Sequence, residues 1–169
     1  MDTEPGDVAL MEASLEAAAE ACEDLSPAVY ARFFAARPDA QPLFRLGQRT
    51  RGRMLNEIIS ILFELARGHA YMPATIEALV KDHDCYGNIP LDFHRDLLES
   101  LVGVLAELLE GAWTPEVAAA WRAQTSRLLD LIAHDLGPAD AGAAVHENEK
   151  LITRLASSQP SAARRYSSA

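Results

Sequence analysis

The chain is poor in the patterns that usually announce a mechanism. Its 169 residues include only two cysteines, Cys22 and Cys85, with no CxxC pairing. That excludes a disulfide framework and implies reduced thiols. No apolar run approaches the roughly 18 residues a bilayer span requires. The opening MDTEPGDVALMEASLEAAAEACEDL is acidic and lacks the basic start and cleavage site of a secretory leader. The expectation is therefore a soluble, cytoplasmic protein with no membrane partner. A net charge of -10 argues against nucleic-acid binding. HExxH, Cys/His clusters and Glu-x-x-His are all absent, which removes the ligands for zinc hydrolysis and di-iron chemistry. So are a Gly-rich phosphate loop and a GxSxG nucleophile turn. No segment alternates as a strand does, and there is no internal repeat.

What is present is helical periodicity. Val8, Met11, Leu15, Ala18, Ala19 and Cys22 recur at three- and four-residue spacing, predicting a first helix to about Asp24. LSPAVYARFF restarts a helix with Ser26 as N-cap and Pro27 at its first position. ARPDAQPLF carries two prolines, which fits a short helix or paired turns, and RLGQRTRGR reads as a loop. Leu55, Ile58, Ile59, Leu62 and Leu65 stripe a long helix reaching about Gly68, and a shorter one runs from Pro73 to near His83. A strong helix follows from Pro90, with Gly111 capping it. Another begins at Thr114 as N-cap with Pro115 behind it and stops at Gly137. The expected fold is all-α, with six to eight helices. Residues 1–137 form the domain, and 138–169 form a linker, a short helix around Val145 to Ala156 and a disordered tail.

Charge is distributed unevenly. Residues 1–29 hold eight acids and no Lys or Arg. Residues 32–53 hold Arg32, Arg37, Arg45, Arg49, Arg51 and Arg53 against Asp39 alone. A charge run of this kind is ordinarily a solvated face; the alternative is that some of these arginines meet an anionic ligand.

Helical folds build cofactor sites from side chains on facing helices. The candidate ligands here are His69, His83, His94, His134, His146, the two cysteines, and Met11, Met54 and Met72. With no cluster among them, a one-histidine site remains, and haem is the cofactor that needs a single protein bond. His83 closes a helical run in VKDHDCYGNIPLDF; read from the residues alone it is equally a surface or capping histidine.

The order of residues nonetheless resembles the globins, in particular bacterial haemoglobins of the single-domain and flavohaemoglobin type. VYARFFAARPDAQPLF is similar to their second and third helices, with Pro38 six residues before Phe44 and Tyr30 eight before Pro38. His83 matches the proximal histidine, and WTPEVAAAWRAQTSRLLDLI, with Trp121, matches the last globin helix. The likeness covers roughly residues 7–136.

It implies a globin-like fold enclosing a haem pocket, with haem b bound through His83 and the short C-terminal helix as an extra. Tyr30 would be the distal hydrogen-bond donor, Phe44 would wedge the ring, and Ile58 and Leu62 would line the pocket with Phe93. Counting without gaps from Tyr30 places Met54 at the distal position, 29 residues before His83; Arg53 or Leu55 are the alternatives. Arg45, Arg49, Arg51 or Arg53 would meet the haem propionates. His69, His94, His134 and His146 are taken as surface residues.

The ligands implied are O2, NO and CO, in a carrier, store or NO-scavenging role, as a monomer or homodimer. Two features depart from nitric oxide dioxygenases of the family. Phe93 replaces a proximal tyrosine, and Thr125 replaces another in the last helix. Dioxygenase or peroxidase turnover would also require an external reductase. A haem-based gas-sensor module and a globin-fold interaction module without haem are the competing readings.

Overall fold

The computed structural model describes residues 5–44, 47–83 and 89–157, with side chains described up to residue 137. Six α-helices follow one another: α1 (Pro5–Ala21), α2 (Ser26–Ala36), α3 (Gly47–Ala66), α4 (Met72–His83), α5 (Leu91–Leu109) and α6 (Pro115–Ser157). Short 3-10 segments occupy Pro38–Phe44 and Glu110–Ala112. Among the described residues there is no strand, and no helix is long and apolar enough to cross a membrane.

The helices bury the stripes that the sequence periodicity marks. On α5 these are Phe93, Leu97, Leu98, Leu101, Val104, Leu105 and Leu109, steps of three and four that keep one face inward. α6 is the central element, packing against α1, α3, α4 and α5, while α2 lies on α5 and crosses α3. Trp121 on α6 is fully buried, edge-on to Phe63 at 6.1 Å. Its indole N–H donates to Ser14 Oγ at 2.9 Å, and Ser14 Oγ donates to Met11 O at 2.8 Å. A buried indole N–H requires such a partner. Consecutive helices α3 and α4 share little contact.

The ends of the helices follow local chemistry. α3 stops in a Schellman turn: Gly68, at φ 74°, sends its N–H to Leu65 O, and His69 sends its own to Glu64 O. Arg127 of α6 donates to Leu65 O as well, at 2.9 Å. Thr114 Oγ1 accepts from Val117 N, the capping role its position predicts.

Three ends differ from the sequence reading. The cap of α2 is Asp24, not Ser26. Leu25 already has helical angles (φ -73°, ψ -20°), and Asp24 Oδ1 accepts the Ser26 N–H at 2.9 Å. α5 turns at Glu110 (φ 41°, ψ -110°), one residue before the expected Gly111. The RLGQRTRGR stretch is the start of α3 from Gly47 onward. Its glycines read as breakers, yet Gly47 sits at the first residue with φ 53°. Gly52 lies inside the first turns of α3, where an added Cβ would be in ordinary van der Waals contact with Ser26 Oγ at 3.4 Å.

At the far end, Gly137 (φ 71°, ψ 164°) breaks α6, and the backbone is helical again from there to Ser157. The tail from residue 158, with Arg45, Cys85 and the side chain of His146, lies outside the described residues.

Candidate functional site

His83 is the last residue of α4, and its ring bends back onto its own helix. Nδ1 lies 2.7 Å from Leu79 O. A carbonyl can only accept, so Nδ1 carries the proton, and Nε2 is left with a lone pair. This is the tautomer a metal-binding histidine needs, with its orientation fixed by the other nitrogen. Among the described residues no three His, Cys, Asp or Glu side chains cluster as a metal site would.

His94, expected at the surface, is instead half-buried beside His83, with ring centroids 6.3 Å apart. Its Nδ1 lies 3.2 Å from Pro90 O. Burial pushes its pKa down to about 4, against the raising effect of that hydrogen bond, so the ring is neutral at pH 7. Helical spacing puts His94 on the inner face of α5, three and four residues before the buried Leu97 and Leu98, a signal that its polar type masks. His69 and His134 are exposed, as expected.

The other half of the site is aromatic. Tyr30 on α2 is 2% exposed. Its ring meets Phe33, Phe34 and Phe44 at centroid distances of 6.4, 5.8 and 5.4 Å. Thus Tyr30 and Phe44 are brought together as their spacing implies. Among the described residues the buried Tyr30 hydroxyl has no hydrogen-bond partner, which ordinarily costs stability. Burial pushes its pKa up to about 12, and the nearby Arg51 partly opposes the shift. The phenol therefore keeps its proton and can donate it to a ligand.

The remaining candidates are distributed around these two groups. Leu62 is fully buried and Ile58 and Met54 are half-buried on α3, while Arg53 is exposed. Phe93 is 4% exposed, with the Arg37 guanidinium carbon 4.3 Å from its ring centre.

The arginine run divides. Arg37 ion-pairs with Asp39, Asp92 and Asp96 at 3.4, 2.8 and 3.4 Å, and Arg32 pairs with Glu107. Both tie α2 to its surroundings rather than meeting a ligand. Arg51, a member of the run with no special mark in the sequence, overlies the Tyr30 and Phe34 rings with its Cζ at 5.9 and 5.4 Å.

The fold is all-helical, with His83 held in one tautomer and a buried Tyr30 hydroxyl that has no partner among the described residues. The family model described as Globin matches residues 27–134, and the chain belongs to the globin family. The match begins at the first turn of α2 and ends just before the break at Gly137. Comparison with curated proteins gives no match. Globins typically bind haem, and the residues here fit it: His83 presents an unprotonated Nε2, and Tyr30 presents a donor with no partner among the described residues.

Proposed function

We propose that this chain is a haem b protein that reversibly binds O2, and NO and CO as well, serving as an oxygen carrier or store or as an NO scavenger. The observation that carries the reading is the His83 Nδ1 to Leu79 O bond of 2.7 Å, which leaves the other ring nitrogen with the lone pair a metal would take. Haem supplies an iron with one position open to a diatomic gas.

The protein residues supply the rest. His83 tethers the cofactor and is held in one tautomer by Leu79. Tyr30 offers a hydrogen bond to a ligand that acquires negative charge, and such a bond is worth about 1.5–3 kcal/mol. Phe44 borders the ring, and Met54, Ile58, Leu62 and Phe93 keep water away from it. Arg53, exposed at the pocket's margin, is suited to a propionate. Phe93 offers no hydrogen bond on the proximal side, which favours ligand storage over peroxide cleavage; any redox turnover would draw on an external reductase.

A visible spectrum after addition of hemin tests the reading. The expected result is one haem per chain, a Soret band, and its shift on reduction and on CO addition. His83→Ala should lose most of the bound haem. A colourless wild-type protein, or a His83→Ala variant with unaltered haem stoichiometry, would refute the assignment.

A second reading, a gas-sensing module, is favoured by the helix that resumes beyond Gly137, since such a segment can pass a change of state onward. Ligand-dependent change in native mass or in protection of residues 138–157 would support it.

A further inference from the structure

We propose that Arg51 and Tyr30 together make the distal pocket selective for a small anionic ligand, of the azide, fluoride or nitrite class, at ferric haem. The inference rests on the haem reading above and adds the charge of the preferred ligand.

Arg51 stands four residues before Leu55, seven before Ile58 and eleven before Leu62, so all four share one face of α3. α2, which carries Tyr30, packs on α3, with Gly52 near Ser26 Oγ. The Arg51 side chain is half-buried. Its Cζ covers the Tyr30 and Phe34 rings, and Nη2 donates weakly to Phe44 O at 3.4 Å. Its Nε is buried with no partner. Among the described residues no carboxylate pairs with it, although Arg32 and Arg37 of the same basic run both have carboxylate partners.

A guanidinium can only donate. The Tyr30 hydroxyl beside it is also buried and unpaired. Two buried donor atoms, the Arg51 Nε and the Tyr30 hydroxyl, the first on a charged group and neither with a partner among the described residues, fit an anion. An Arg N–H and a phenol O–H both make their strongest hydrogen bonds to a negative acceptor.

The test uses the haem-loaded, full-length chain. Azide and fluoride are titrated into the ferric form and CO into the ferrous form, and haem stoichiometry and haem loss to a scavenger are recorded for every variant. Arg51→Leu should weaken both anions by about ten- to a hundredfold, the range for a hydrogen bond to a charged group, while CO affinity stays within about twofold. Arg51→Lys, which keeps the charge, should recover a large part of the loss. Arg122→Gln, which removes an exposed charge on α6, should leave anion affinity unaltered.

Three results overturn the proposal alone: anion affinity unchanged in haem-loaded Arg51→Leu, a loss produced by Met54→Leu instead, or faster haem loss with anion affinity intact. The last would make Arg51 a propionate partner. A wild type that takes up no hemin overturns the haem reading and this one with it.

Discussion

Tyr30→Phe removes one oxygen from a ring that is 2% exposed and whose hydroxyl has no partner among the described residues. In the haem-free chain the hydroxyl contributes only its desolvation penalty, about 1–3 kcal/mol for an unsatisfied buried group. Against this stands a small loss of packing, well under the ~1 kcal/mol of a methylene. The haem-free variant should therefore be more stable than wild type, by about 1 kcal/mol in urea unfolding.

The haem-loaded protein should respond in the opposite sense. Losing a hydrogen bond of about 1.5–3 kcal/mol to a charged acceptor raises the O2 dissociation rate by about ten- to 150-fold at roughly 1.4 kcal/mol per decade. Stopped-flow displacement of O2 by CO reads this directly. A haem-free variant destabilised by more than about 1 kcal/mol would show that the hydroxyl has a partner after all, and an unaltered off-rate would remove Tyr30 from the ligand's surroundings.

Other perturbations have calculable signs. Ser14→Ala strands the Trp121 N–H in the core and should cost about 1–3 kcal/mol; a urea midpoint close to wild type would mean that water reaches the indole. Asp24→Ala should cost about 0.5–2 kcal/mol at pH 7 through loss of the α2 cap. Hydrogen bonds from the Ser26 side chain and backbone hold the Asp24 pKa below 3.8. That stabilisation is complete above the unfolded-state value and fades as pH falls through the folded one. The gap between variant and wild type should accordingly close below about pH 4 in thermal melts, and a gap independent of pH would assign the effect elsewhere. Glu110→Gly should stabilise by about 1 kcal/mol, since φ 41° with ψ -110° suits glycine and strains an L side chain; calorimetry showing a lower melting temperature would contradict the strain.

Much of the architecture is legible in the sequence because helix periodicity is a short-range signal. The stripes of α3 and α5 and the Thr114-Pro115 start of α6 could be read by counting. His83 and Tyr30 emerged from the order of four elements rather than from any one of them. What escaped the reading depends on contacts between helices. Nothing in RLGQRTRGR distinguishes a glycine that ends a helix from one carried inside its first turns, so the start of α3 reads as a loop. The same blindness concealed Arg51 within a run of similar residues, since only the α2–α3 crossing separates it from Arg32 and Arg37, whose carboxylate partners on α5 lie far away in sequence. His94 differs: its spacing of three and four to Leu97 and Leu98 marks the inner face of α5, and only its polar type masks it.

The Trp121–Ser14 bond carries a lesson about where this domain begins. The stretch that identifies the family opens at residue 27, yet α1, upstream of it, supplies Met11, Ser14 and Ala18 to the interior. A version trimmed to the family boundary would expose the indole that anchors α6 and leave a hollow along three neighbouring helices. The unit that folds is thus larger than the unit that is recognised.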